Sequence, residues 1–165
     1  ESLALSQDNN QVVAKAVLYP EYVQDFARIG SRFSVVSMHL GTRAPMLQVR
    51  PQSSFGRFFS DSFGGGDFRI GFPVFDDAFH ISTESPEFTL EVLTPQVCEL
   101  LLATRERAWR FQGDSLLLFR SGSHSAAEAE HVLGQMAHLL TLVPAPVWAK
   151  LRGERPISDA PVQDA

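Results

Sequence analysis

The alternation of apolar and polar residues predicts short strands in the first half of the chain. Five segments fit this pattern: 11–18, 32–40, 46–50, 68–70 and 79–83. In the second segment the face that carries Met38 is the more apolar one, so we expect it to point into the core. Gly and Pro at 41–45 predict a turn that pairs the second and third strands, and Pro51 ends the third.

Helix start and stop signals predict helices in the second half. Ser85-Pro86 and Thr94-Pro95 each combine an N-cap residue with a proline at the first helical position. The second of these helices is expected to run to about Thr104. Ser125 is expected to cap a longer helix over 126–143, whose apolar residues recur with a period of 3.6. The prolines after it predict its end, and Trp148 is expected to fold back on the core.

Between these helices, 108–111 and 115–120 read as two strands joined by a hairpin turn at 112–114. The element order predicts an α+β fold, in which an antiparallel sheet of about five to seven strands is packed by two or three helices, with a long C-terminal helix. We expect a single domain over residues 1–151, followed by a flexible C-terminal tail at 152–165.

The composition and net charge favour a folded domain and argue against a nucleic-acid-binding protein. The 165 residues are 44% hydrophobic and 20% charged, which is typical of a folded domain. The net charge of −5 argues against nucleic-acid binding, which needs clustered cations. The sequence contains no run of 18 apolar residues, and it starts at Glu1 without a signal-peptide pattern. We therefore expect a piece of a longer or processed protein, with any membrane anchor outside this chain.

The residues that carry reactive groups do not form a recognisable catalytic or metal-binding pattern. Asp76, Asp77 and His80 are too few ligands, at no recognised spacing, to hold a cation. We expect Asp76 to tighten the turn that enters the following strand, with Phe75 and Phe79 as anchors. The glycines at 64–66 lack the Lys-Ser/Thr pair of a phosphate loop. Cys98 is expected to be partly buried on its helix. We predict no catalytic residue, no metal and no cofactor.

A phenylalanine-rich segment at 51–67 is the best candidate for a binding site. It carries four phenylalanines and an arginine in a Ser/Gly-rich context, and these form the predicted partner-binding set: Phe55, Arg57, Phe58, Phe59 and Phe63. If the segment is exposed, it offers an apolar patch to a partner protein or a lipid surface. If it folds back, the same phenylalanines close one end of the core.

Three short motifs carry a family resemblance. Gly65-Gly66-Asp67, Phe75-Asp76-x-x-Phe79 and Leu93-Thr94-Pro95 occur in this order. With them, the chain from about residue 33 to 148 resembles a group of actinobacterial membrane-anchored proteins of unknown function. In that group a transmembrane segment precedes a cytoplasmic α+β domain. More remotely, the C-terminal plan is similar to the core domain of the mycobacterial trehalose monomycolate transport factor A, a partner of a mycolate-lipid exporter.

The resemblance implies a non-enzymatic cytoplasmic interaction domain of a membrane-associated envelope protein, an accessory factor in envelope lipid transport. We expect a membrane protein as partner, a lipid as a further ligand and no nucleic acid. The expected location is the cytoplasmic side of the plasma membrane, reached through an anchor outside this chain. Two alternatives stay open. One is a small-ligand or lipid-binding domain with a cleft between the sheet and the long helix. The other is an enzyme whose site gathers residues such as His39, Asp76 and His80.

Overall fold

An antiparallel sheet covered by helices organises the chain, as the α+β prediction requires. The computed structural model describes residues 14–15, 33–52, 67–121 and 125–153. Their elements, in chain order, are β1 (Ala14–Lys15), β2 (Phe33–Pro51), α1 (Pro73–Ala78), β3 (Phe79–Thr83), α2 (Pro86–Val92), α3 (Pro95–Ala103), β4 (Ala108–Ser121), α4 (Ala126–Leu142) and α5 (Ala145–Leu151). The described residues thus contain four strands, fewer than the predicted five to seven, and five helices instead of two or three.

Strands β2 and β4 form one long antiparallel ribbon, which corrects two predictions. Sequence predicted turns at 41–45 and 112–114, yet both stretches lie inside strands and face each other through the pair Ala44↔Gly113. The register shifts between His39 and Ala44, and again between Ala44 and Leu47. Gly41 and Gly113 have φ angles of 72° and 59°. The two glycines with positive φ therefore lie at irregularities within the strands, and not in hairpin turns. The two strands continue as one ribbon past these irregularities.

The C-terminal half of β2 pairs with β3, and its N-terminal half pairs with β1. The pairing with β3 runs from Leu47↔Thr83 to Pro51↔Phe79, so the predicted pairing of 46–50 with 32–40 is wrong. The predicted strand end at Pro51 is confirmed. Residues 68–70 form no strand, although the Phe68 amide donates to the Ile81 carbonyl at 3.0 Å. Of the predicted strand at 11–18, only β1 lies within the described residues.

The core lies between one face of the ribbon and the helices. The Met38 face of β2 is buried, as predicted. Helix α4 packs against β2 with a stripe of buried side chains: Ala129, Val132, Met136 and Leu139. Trp148 packs on this core as expected, but it does so from α5, a helix that the sequence reading missed. The predicted end of α4 before Pro144 is confirmed, and Pro144 is also the N-cap residue of α5.

The N-cap predictions are confirmed. The hydroxyl oxygens of Ser85, Thr94 and Ser125 each accept a hydrogen bond from the backbone amide three residues later, at 3.3, 3.4 and 3.3 Å. At Ser125 the Glu128 carboxylate also accepts from the Ser125 amide at 2.8 Å, which completes a capping box. These local signals fix the starts of α2, α3 and α4.

No single helix among the described residues is long and apolar enough to cross a membrane. Helices α4 and α5 together meet that test by length and composition, with a bend of 89° between them.

Candidate functional site

An open apolar groove lies where the segment before α1 meets α2 and α3. Its volume is about 260 Å³, and its lining comes from three separate parts of the chain: Ile70, Phe72, Leu90, Leu93, Pro95 and Cys98. This volume is below the roughly 300–1,000 Å³ of typical small-molecule sites. A groove of this size and openness suits a few apolar side chains or part of a lipid chain better than a whole enclosed ligand.

The carboxylate of Asp76 positions the first wall of the groove. One carboxylate oxygen accepts a hydrogen bond from the Ile70 amide and the other from the Gly71 amide, both at 3.0 Å. Gly71 has a φ of 81°, a left-handed conformation that glycine adopts without strain. Beneath it the rings of Phe75 and Phe79 are buried with centroids 4.7 Å apart. Asp76 holds a turn and the two phenylalanines are buried, as predicted, but the prediction that this turn enters a strand is wrong. Asp76 lies within α1, and the turn that it holds at 70–71 precedes that helix.

Two proline-started helices in close succession form the other walls. Helix α2 ends at Val92, Leu93 follows as its C-cap, and Thr94 is already the N-cap of α3. The hydroxyl of Thr89, in α2, donates to the Thr83 hydroxyl of β3 at 2.8 Å, which ties α2 to the sheet. The short connection places Leu93 and Pro95 side by side in the groove.

Two large apolar side chains of the groove are exposed. Phe72 and Leu90, which both belong to its lining, are 38% and 56% exposed. Val74, which is 60% exposed, follows Phe72 by two residues. Large exposed apolar side chains at an apolar groove typically mark an interaction site. We call the six lining residues the α2–α3 groove.

Acidic residues outnumber basic ones in the segment that forms the α2–α3 groove. Residues 70–104 contain six Asp and Glu residues and neither Lys nor Arg, although Arg69 directly precedes the lining residue Ile70 and lies 3.9 Å from Asp67. Lys150 of α5 lies beside α2, and its ammonium group contacts the carboxylates of Glu87 and Glu91. The hydrogen bond from Lys150 lowers the pKa of Glu87, and the two carboxylates raise the pKa of Lys150.

The thiol of Cys98 lies at the groove without the surroundings of a nucleophile. It is buried, as predicted, and donates to the Leu93 carbonyl at 3.6 Å. Burial, with smaller contributions from the carboxylates of Asp76 and Glu99, raises the pKa of the Cys98 thiol to about 11. Since the thiolate is the reactive form, Cys98 stays protonated and unreactive at neutral pH.

The polar residues of the enzyme alternative each have a separate partner. His39 Nε2 lies 3.3 Å from an Asp114 carboxylate oxygen at the exposed irregular part of the ribbon. His80 Nδ1 lies 3.0 Å from Asp67 Oδ1. Burial and the nearby Arg50 lower the pKa of His80, and Asp67 opposes that shift. Asp76 is engaged with the backbone before α1. The structure does not bring the three together into a nucleophile–base arrangement.

Sequence reasoning missed the α2–α3 groove and favoured a different segment. The five predicted partner-binding residues, Phe55, Arg57, Phe58, Phe59 and Phe63, lie outside the described residues, and their role stays a prediction. Two features of the sequence are related to the groove. The first is Leu90, an apolar residue that falls outside the buried face of α2, which consists of Phe88, Thr89 and Val92. The second is the absence of Lys and Arg from the 35 residues at 70–104.

Comparison with known proteins gives one partial similarity. A stretch of 60 residues is 65% identical to the lipophilic envelope-spanning tunnel protein B of Escherichia coli (strain K12). The aligned part covers 31% of this chain and 7% of that protein, so the chain spans only a small fraction of its length. No family model matches the chain, and no solved structure matches it.

Proposed function

We propose that this chain is a non-enzymatic interaction domain of a membrane-associated envelope protein, which serves as an accessory factor in envelope lipid transport. The observation that carries the proposal is the α2–α3 groove, an open apolar surface in which the large side chains of Phe72 and Leu90 are exposed. Its modest volume favours contact with side chains of a partner over capture of a whole small molecule.

The transport context has a separate source of support. The similarity to a lipophilic envelope-spanning tunnel protein points to the envelope and to lipid traffic. The resemblance of the three short motifs points the same way. On this proposal the domain sits on the cytoplasmic side of the plasma membrane, is attached through a segment outside this chain, and binds a membrane protein. The phenylalanine-rich segment at 51–67 is proposed as a second contact region.

The ligand-binding alternative was expected to use a cleft between the sheet and the long helix, and the structure gives little support for a cleft there. Helix α4 faces β2 with side chains that belong to the packed core, among them Val132 and Met136. A lipid chain therefore has a better place in the α2–α3 groove than between the sheet and α4. A lipid and a protein partner would therefore compete for the same groove, and one experiment can show which of the two binds there.

Photocrosslinking in the native organism tests the proposal. We would place p-benzoylphenylalanine at Leu90, on the groove rim, and at His131, an exposed position on α4, as the matched control. The expected result is an adduct with a membrane protein from position 90 and none from position 131. Adducts with lipid alone would support the ligand-binding alternative. Identical adducts from both positions, or none from position 90, would contradict the proposal.

A further inference from the structure

The carboxylates closest to the α2–α3 groove lie on the helices that form it. Glu87 and Glu91 share α2 with Leu90, three residues before it and directly after it. Glu99 follows Pro95 by four residues on α3, which places both on the same helix face. All three are at least partly exposed, so they flank the apolar lining and are accessible to a bound partner.

Acidic side chains outnumber basic ones on the helices that form the groove. Lys150 contacts two of the three carboxylates, and α1, α2 and α3 contain no basic residue. The carboxylates of Asp76 and Glu99 contribute to the raised pKa of the Cys98 thiol in the groove lining, although burial is the larger cause. An apolar groove with an acidic rim is complementary to a ligand that combines apolar side chains with cations.

From this complementarity we infer that the α2–α3 groove binds a basic amphipathic helix of the membrane protein partner. An amphipathic helix lays its apolar face into such a groove, where its leucine or phenylalanine side chains would meet Leu90, Leu93 and Phe72. Lysines or arginines beside that face would then meet Glu87, Glu91 and Glu99. This inference rests on the proposed function and adds the chemistry of the partner segment.

Two general features of membranes favour this occupant over the lipid surface. The cytoplasmic flanks of transmembrane helices are enriched in Lys and Arg, so a membrane protein partner offers such a segment on the side where this domain is proposed to lie. The cytoplasmic leaflet itself is negatively charged and repels an acidic rim. A protein segment is therefore the better match for the groove than an anionic bilayer.

Binding of a designed peptide tests the inference. The probe is a short fluorescein-labelled amphipathic helix of leucine and lysine, and its twin carries glutamate in place of every lysine. Fluorescence anisotropy with the whole chain would be measured at about 50 and 150 mM salt, because screening weakens exposed charge pairs. We expect the lysine peptide to bind, more weakly at the higher salt, and the glutamate peptide to bind at least about tenfold more weakly.

Matched variants locate the binding site. Leu90→Ser and Glu99→Lys should each weaken binding of the lysine peptide at least about tenfold. Glu130→Lys makes the same charge change at an exposed position of α4, which does not line the groove, and should leave binding nearly unchanged. Unchanged circular dichroism and thermal midpoints would show that each variant is folded.

Three results would overturn the inference. The first is equal weakening by Glu130→Lys and Glu99→Lys, which would mean that only net charge matters. The second is sedimentation of the chain with vesicles containing phosphatidylglycerol in a manner that depends on Leu90, which would assign the groove to a lipid surface. The third is the absence of peptide binding while crosslinking from position 90 still captures a membrane protein. In that last case the proposed function stands and only the basic helix is wrong.

Discussion

Replacing the buried carboxylate of Asp76 should destabilise the protein, because two backbone amides depend on it. Asp76→Ala removes the acceptor of both the Ile70 and the Gly71 amide. An unsatisfied buried donor costs about 1–3 kcal/mol, and the exposure of Gly71 lets water replace part of the loss, so we expect about 2–4 kcal/mol. Asp76→Asn keeps one acceptor oxygen but turns an amide donor toward the other backbone donor. We expect it to cost about 1–2 kcal/mol.

Urea unfolding followed by tryptophan fluorescence measures these losses, since Trp109 is buried and Trp148 is half-buried in the folded chain. The matched control is Asp77→Asn, at the exposed neighbouring position of α1, which should change the free energy of unfolding by less than about 0.5 kcal/mol. Hydrogen exchange adds a local readout. In Asp76→Ala the amides of Ile70 and Gly71 should exchange faster, while amides in α4 should follow only the global change in stability.

The reasoning fails if Asp76→Ala and Asp77→Asn unfold at the same urea concentration with the same slope. That result would mean that the carboxylate does not hold the turn before α1. The first wall of the α2–α3 groove would then have to be fixed by the packing of Phe75 and Phe79 alone.

Three further outcomes are expected. Because burial raises the pKa of the Cys98 thiol to about 11 from its usual 9.0, its reaction with Ellman's reagent at pH 8 should be about 100-fold slower in the folded chain than in urea; equal rates would contradict its burial. The backbone amide of Ser125 does most to hold the pKa of Glu128 at about 2, below its usual 4.5. The stability that Glu128 adds is therefore complete above pH 4.5 and declines as the pH falls toward 2, so the stability difference from Glu128→Gln should shrink over that range in pH-dependent urea unfolding. The double variant Phe58→Ser/Phe59→Ser should lose a membrane protein partner in pull-downs from native membranes while its circular dichroism is unchanged; loss of folding would instead assign both residues to the core.

Local signals in the sequence predicted where helices start. A hydroxyl side chain before a helix satisfies a backbone amide within the next three residues, so the pattern needs no distant partner. Ser85, Thr94 and Ser125 each confirm this. The length of α4 was also predictable, since its apolar period of 3.6 reflects one face packed on the core.

Strand pairing was harder to predict because it depends on residues far apart in the chain. Gly41 and Gly113 were predicted to be turn residues from their sequence context, and both do have the positive φ that turns often need. In the structure the two stretches meet across the ribbon near Ala44↔Gly113, and the pairing continues on both sides of the irregularity. A local turn signal cannot show whether a distant strand is in register to continue the pairing.

What the sequence determined by itself is therefore the set of elements with local causes: the α+β class, the helix caps, the Met38 core face and the turn built on Asp76. The tertiary structure alone decided the rest. The α2–α3 groove joins residues of three segments, and the exposure of Leu90 depends on what packs around α2. Burial and proximity are properties of the folded chain as a whole. A site assembled from several segments is therefore difficult to predict from the sequence.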